Sequence, residues 1–147
     1  MTSQPAAQAP RPLEGIRVLD FSWVRAGPWA TRWLGALGAE VIKVEWPETE
    51  RGRRTPGTTP KGVDPTLNNS GNFSDTNANK LSVTLNVRTA RGLDLAKRLV
   101  AVSDIVIENF SSRVLSDWGL GYDELCKAKA DIVYVSMAGY GQTGRHH

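Results

Sequence analysis

The chain has 147 residues, of which 40% are hydrophobic and 22% are charged, and its formal net charge is +3 at pH 7. These values are typical of one globular domain. No stretch approaches about 18 consecutive apolar residues, and the N-terminus lacks the basic start and apolar core of a secretory signal, so we expect neither a membrane protein nor a secreted one. The single Cys126 excludes an internal disulfide and favours a reducing compartment, which we take to be the cytoplasm.

The first 46 residues predict a strand–helix–strand unit behind a tail. Residues 1–12, MTSQPAAQAPRP, are rich in Pro and Ala and are expected to form a flexible tail. Residues 15–21 and 40–45 have the β-branched, apolar pattern of strands. Gly27 and Pro28 are expected to open the helix between them, with Pro28 at its first position. The spacing of three and four between apolar residues predicts one packing face, made of Trp29, Trp33, Leu34 and Leu37.

Residues 46–78 are rich in Pro, Gly, Thr and Asn and predict a long loop, which in a compact domain is usually functional or partly mobile. This loop holds the one cluster of basic residues, which is either solvated or in contact with a phosphate: Arg51, Arg53, Arg54 and Lys61.

The rest of the chain alternates strands and helices. Strands are predicted over residues 81–85, 104–108 and 131–136, and helices from the Thr89 cap to about residue 102 and over residues 113–118 and 122–129. The pattern predicts an α/β fold: a Rossmann-like, mostly parallel sheet of about five or six strands with helices on both faces.

Ligands of such sheets bind outside the carboxyl ends of the strands. That edge receives residues 22–28, 46–78, 86–89, 109–113 and the segment from 138 onward. Arg25 precedes a helix start, where free N–H groups favour an anion, and Arg88 lies at the next strand-to-helix turn. Asn109 can donate and accept hydrogen bonds, while Phe110 offers a flat apolar surface. Together these residues suit a large ligand that is both anionic and partly apolar.

Several alternatives remain open for these residues. Arg25 could pair with Asp20 or Glu45, and Phe110 could fill the core. Trp23, Trp29 and Trp33 are more typical of core residues than of a ligand platform. Asp20 could be a hydrogen-bonded structural carboxylate or an acid/base group. One Cys and two terminal His residues lack the spacing of metal ligands, so no metal site is predicted.

Two other classes of function fit the sequence less well. A stand-alone module binding a nucleotide such as NAD or S-adenosylmethionine is disfavoured, because the first turn reads SWVRAGP instead of G-x-G-x-x-G. Nucleic-acid binding is disfavoured because the basic residues are scattered and not interleaved with aromatic ones.

Three ordered segments resemble family III CoA-transferases, the group of formyl-CoA and carnitine CoA-transferases. They read PLEGIRVLDFSWVRAGPWATRWLGALGAEVIKVEWP, NKLSVTLNVRTARGLDLAKRLVAVSDIVIENF and VLSDWGLGYDELCKAKADIVYVSMAGYGQTG. The resemblance implies that residues 13–147 are the N-terminal part of a CoA-binding large domain, whose substrates are acyl-CoA and a small carboxylic acid. It also implies interlocked homodimers. An acyl-CoA racemase or isomerase of the same scaffold is the alternative within this family.

The resemblance also assigns site residues, position by position. The CoA-binding set would be Val24, Arg25, Leu85, Arg88, Asn109 and Phe110. Trp46 and Asp117 depart from the family, since basic residues commonly stand at both positions. The family's nucleophile is an Asp that forms an aspartyl-CoA intermediate, and it lies downstream of the GYGQTG-like segment. It is therefore expected beyond His147, so no catalytic residue is expected in this chain, which alone should be inactive.

Overall fold

A computed structural model describes residues 10–46, 62 and 70–145. Its centre is a five-stranded sheet in which every pair of neighbouring strands is parallel, in the order β3-β2-β1-β4-β5. The strands are β1 Arg17–Asp20, β2 Glu40–Glu45, β3 Lys80–Thr84, β4 Ile105–Glu108 and β5 Val133–Ser136. The predicted α/β fold with a parallel sheet is confirmed, because five parallel strands with intervening helices are found.

Helices connect the strands. They are α1 Ala26–Ala36, α2 Gly71–Thr76, α3 Ala90–Ala101, α4 Val114–Asp117 and α5 Tyr122–Ala128. The predicted Thr89 cap is present, since its hydroxyl accepts a hydrogen bond of 3.1 Å from the N–H of Gly92. Because parallel strands all point the same way, their carboxyl ends and the loops that follow them lie along one edge of the sheet.

The core lies on both faces of β1 and β4, the inner strands. One cluster contains Leu19 and Val106 of the sheet with Val100 of α3 and Leu125 of α5. The opposite cluster contains Val18, Val41 and Ile107, against which Leu34 of α1 packs. Burial on both faces explains why β4 reads as an unbroken apolar run rather than an alternating one.

The predicted packing face of α1 is wrong. Trp29, Trp33 and Leu37 are 43%, 54% and 45% exposed, and only Leu34 of the predicted set packs against the core. The residues that α1 buries are mostly small: Gly27, Pro28, Thr31 and Gly35. A Cβ on Gly35 would lie 3.4 Å from the carbonyl oxygen of Asn79, so large side chains do not fit between the helix and its neighbours.

Two local predictions also need correction. Pro28 is the third residue of α1 instead of the first, a position where its missing N–H still costs no helical hydrogen bond. The segment 46–78 is not loop throughout, because it contains α2, whose N-cap Ser70 accepts a hydrogen bond from the N–H of Phe73. A helix of six residues is too short to produce an apolar periodicity. The basic cluster and residues 1–9 of the predicted tail lie outside the described residues.

Candidate functional site

The loop of residues 22–28 is held from two sides at the sheet edge. The Asn109 side chain accepts a 2.7 Å hydrogen bond from the N–H of Trp23 and donates to the carbonyl oxygens of Trp23, at 2.6 Å, and Val24, at 3.1 Å. Asn109 therefore supports the loop that carries Val24, while Val24 itself is 51% exposed. Both residues belong to the predicted site, and the structure brings them together.

A buried ionic network lies beneath this loop. The Asp20 carboxylate, fully buried, accepts hydrogen bonds from the Ser22 backbone and hydroxyl, from the Thr31 hydroxyl at 2.6 Å and from the Lys80 ammonium at 3.1 Å. The same ammonium donates to the carbonyl of Pro28 and to the Asn77 side chain. The open question about Asp20 is thereby answered, because its oxygens are committed to structural partners.

The charges of this network shift the pKa of both partners. Burial alone would raise the pKa of Asp20, but the ammonium groups of Lys43 and Lys80 and the hydrogen bonds from Ser22 and Thr31 outweigh it and lower the pKa below 3.8. Burial lowers the pKa of Lys80, because it outweighs the attraction of Asp20. The Lys80 ammonium lies 3.1 Å from the Asp20 carboxylate, which is the geometry of a buried ion pair.

Phe110 and Leu85 line an aromatic crevice at the centre of the edge. Phe110 is 8% exposed, and its ring meets Trp23 edge-on at 4.6 Å and Trp118 at 5.2 Å between centroids. The crevice wall also includes Leu85, which is likewise 8% exposed, and Trp46. Phe110 belongs to the core cluster and also lines the crevice, so it fills the core as one interpretation expected, while its contact with a ligand stays a prediction.

Arg88 lies at the mouth of the next cavity, a cleft of about 320 Å³ that we call the Arg88 cleft. Its guanidinium stands over the Trp46 ring at 5.8 Å, within the range of a cation–π contact. Asp117 lines the same cleft. Two of the positions that depart from the family pattern, Trp46 and Asp117, therefore both lie beside Arg88, while the third, Arg25 in place of Gln, does not.

Arg25 lines a larger cleft of about 550 Å³, the Arg25 cleft, together with Trp29 and Asp75. No ion pair joins Arg25 to Asp20 or Glu45, so that alternative does not hold. The φ of Arg25 is 60°, an uncommon backbone conformation for a residue with a side chain.

The backbone N–H groups of Val24, Arg25 and Ala26 make no hydrogen bond within the described residues, so they are available to an anion at the start of α1.

Glu108 braces the loop after β4. It is 1% exposed, and its carboxylate accepts hydrogen bonds from the N–H of Phe110 at 2.7 Å, from the Tyr134 hydroxyl at 3.1 Å and from the Ser136 hydroxyl. Burial, ahead of the charge of Glu108, raises the pKa of the Tyr134 hydroxyl. Ser136 in turn accepts from Gln142, so the brace connects Phe110 to the loop after β5.

The cavities form a row along the edge. A small cavity lined by Lys43, the Lys43 cavity, lies between the aromatic crevice and the Arg25 cleft. Neighbouring cavities share wall residues, in order from the Arg88 cleft: Val87 and Trp118, then Trp23, then Asn72 and Thr76. All six residues of the predicted site line this row or, for Asn109, hold the loop that does.

The sequence reasoning missed the ionic network, Glu108 and the Lys43 cavity. A signal for Lys43 was present, since it lies between Ile42 and Val44 in the middle of a strand and lysine is almost never fully buried unless it is paired. Within the described ranges no three His, Cys, Asp or Glu residues are close enough to hold a metal ion. Nor does that part of the chain contain a helix long and apolar enough to cross a membrane.

The fold and this edge define a Rossmann-like α/β protein with a row of cavities along the carboxyl edge of its sheet. The family model of CoA-transferase family III matches residues 13–147. This chain belongs to CoA-transferase family III.

Individual members of this family are similar to the chain in sequence and in structure. The succinyl-CoA:glutarate CoA-transferase of Mus musculus is 43% identical over 134 residues, which cover 91% of this chain and 30% of that protein. The succinyl-CoA–L-malate CoA-transferase beta subunit of Chloroflexus aurantiacus is 41% identical, over 90% of this chain and 32% of that protein. A CAIB/BAIF family protein from Brucella suis superposes with a TM-score of 0.81 and 38% identity, over 94% of this chain and 36% of that structure. The chain thus spans about a third of the length of these relatives.

Proposed function

We propose that this chain is the N-terminal part of an enzyme that moves CoA between an acyl-CoA thioester and a carboxylic acid. The observation that carries the proposal is the row of cavities from Arg88 to Arg25, because an extended ligand with a nucleotide end and a thiol end needs a site of this form. Family membership supports the same ligand. The CoA-binding residues would be Val24, Arg25, Leu85, Arg88, Asn109 and Phe110.

The proposed mechanism uses a nucleophilic Asp beyond His147. Its carboxylate attacks the thioester carbonyl and releases the CoA thiolate, forming a mixed anhydride; the thiolate then attacks the Asp acyl carbon and releases the donor acid. The resulting aspartyl-CoA thioester passes CoA to the acceptor acid by the same two steps in reverse. This is covalent catalysis, and each addition needs a donor to its oxyanion. The free N–H groups of residues 24–26 are the candidates within this chain.

Calorimetry with CoA, NAD and S-adenosylmethionine tests the ligand. We expect a saturable heat of binding with CoA and none with NAD or S-adenosylmethionine. Arg25→Ala and Arg88→Ala should each weaken CoA binding by about 1.5–3 kcal/mol, the usual range for a hydrogen bond to a charged group. Arg98→Ala, on the last turn of α3, is the matched control and should leave the affinity unchanged. Binding of NAD in place of CoA would refute the proposal.

The assembly and location of the whole enzyme belong to the same proposal. The family resemblance supports an interlocked homodimer, and the single Cys126 supports a cytoplasmic location. Light scattering of the whole enzyme should give twice the mass of one polypeptide, and a monomer at micromolar concentration would contradict the dimer. CoA transfer by residues 1–147 alone would contradict the placement of the nucleophile beyond His147.

A further inference from the structure

Lys43 is a buried cation whose hydrogen bonds are incomplete. The residue is 4% exposed, and its ammonium donates one hydrogen bond, of 2.9 Å, to the carbonyl oxygen of Ser22. No carboxylate of the described residues lies within ion-pair distance of it; Asp20 attracts it from beyond that distance and is itself hydrogen-bonded to Lys80. An ammonium carries three N–H donors, so two are left over. A buried charge in this condition needs a further partner.

The Lys43 cavity can hold that partner. Its volume is about 30 Å³, which is room for about two water molecules or one carboxylate group. Its walls are the apolar residues Trp23, Val24, Pro28 and Phe73 and the polar residues Asn72, Thr76 and Asn77. The cavity therefore lies directly against the loop that carries Val24.

The polar groups around the cavity supply more donors than acceptors. The Asn77 amide oxygen is occupied by Lys80, and the Thr76 hydroxyl donates to the carbonyl of Asn72. The side-chain amide of Asn72 makes no hydrogen bond within the described residues, so it offers the cavity both an N–H₂ donor and an oxygen acceptor. The two remaining N–H groups of Lys43 and the N–H₂ group of Asn72 outnumber this one acceptor and lie beside a positive charge, which favours an anionic acceptor such as a carboxylate over water.

We propose that the Lys43 cavity binds a carboxylate group of the acid that exchanges CoA. This rests on the proposed function for the identity of the acid, but the cavity and its donors do not depend on it. The Lys43 ammonium would hold one carboxylate oxygen and the Asn72 amide the other. Because Asn72 and Thr76 also line the Arg25 cleft, the remainder of the acid extends into that cleft.

Calorimetric titration of the purified protein with acetate and with glutarate, at constant ionic strength and without CoA, tests this site. Both acids should bind saturably, because both carry the carboxylate group. Asn72→Asp places a negative charge at the cavity wall and should weaken both affinities by about tenfold or more, equivalent to about 1.4 kcal/mol. Ser74→Asp adds the same charge to the same helix at an exposed position outside the cavity, and should change the affinities by less than about twofold.

Lys43→Met removes the ammonium and should abolish binding if the variant folds, which its circular dichroism would establish. The Asn72→Asp result does not depend on that condition. Absence of saturable binding to the unchanged protein, or equal affinities in Asn72→Asp and Ser74→Asp, would overturn the proposal. CoA titration of the same samples separates the two ideas: CoA binding without acid binding refutes only the Lys43 site, whereas acid binding without CoA binding refutes only the proposed function.

Discussion

Asp20 connects the loop of residues 22–28 to the elements around it. It joins the end of β1 to Ser22, to Thr31 of α1 and to Lys80 of β3. Its carboxylate forms an ion pair with Lys80, whose side chain is 2% exposed. Removing one member of a buried ion pair leaves the other charge uncompensated, which costs more than the pair itself contributes.

Asp20→Asn should therefore lower the free energy of unfolding by about 3–5 kcal/mol, measured by urea denaturation at pH 7. The asparagine keeps the size of the side chain, so the loss reflects the charge. Asp131→Asn is the control, because Asp131 pairs with Lys129 while being 81% exposed, and such surface pairs contribute only about 0–1 kcal/mol. Equal losses in the two variants would contradict the role given to Asp20.

The pH dependence of the same variant gives a second test. The pKa of Asp20 is lower in the folded protein than its ordinary value of 3.8. A carboxyl group of this kind contributes stability that is complete above its unfolded pKa and is lost as the pH falls through the folded pKa. The stability gap between the unchanged protein and Asp20→Asn should thus be constant from pH 7 to about 5 and narrow below about 3.8. A gap that stays the same at pH 2.5 would contradict the shift.

At the scale of elements, α1 is docked on the sheet edge by its smallest residues. A Cβ on Gly27 would lie 2.2 Å from the Cβ of Ser22 and 2.6 Å from its hydroxyl oxygen. Ser22 is fully buried and bonded to Asp20, so it cannot move aside. The close approach of Gly27 and Ser22 therefore sets where α1 begins relative to the loop of the proposed CoA site.

Gly27→Ala should displace the start of α1 and lower the free energy of unfolding by about 1–3 kcal/mol, the usual cost of overpacking. Affinity for CoA should fall with it, because Val24 and Arg25 would shift. Gly139→Ala is the matched control, since a Cβ there would meet nothing within 4 Å, and its effect should be below about 0.5 kcal/mol. Urea denaturation of both variants measures the difference in their free energies of unfolding. If Gly27→Ala is as stable as Gly139→Ala, the close contact with Ser22 is relieved at no cost in stability, which contradicts the prediction.

At the scale of the whole molecule, the strands of the sheet were predictable because the sequence pattern that indicates each strand lies within the strand itself. β2 was predicted over residues 40–45, where it lies, because a strand with β-branched residues needs only its own pattern. The parallel order then placed Arg25, Arg88 and Asn109 on one edge. The face of α1 was not predictable from periodicity, because counting large apolar residues overlooks a helix that packs through glycine and threonine.

The ionic network and the Lys43 cavity were not predictable either. Lys80 and Asp20 are 60 positions apart in the chain, and no local pattern relates them. The cavity is formed between a strand residue, a loop and a helix too short to be recognised in the sequence. Such features depend on the three-dimensional packing of several elements, whereas the secondary structure and the edge of the sheet do not.

The row of cavities makes a last prediction about the whole site. If the nucleotide end of CoA lies in the Arg88 cleft and the aromatic crevice, and the thiol end lies near Arg25, each arginine should affect only its own part of the ligand. Arg88→Ala should weaken CoA and adenosine 3′,5′-bisphosphate alike, by about 1.5–3 kcal/mol. Arg25→Ala should weaken CoA but leave the bisphosphate unaffected. Calorimetry with both ligands measures this, and a bisphosphate affinity that depends on Arg25 and not on Arg88 would reverse the direction of the ligand along the edge.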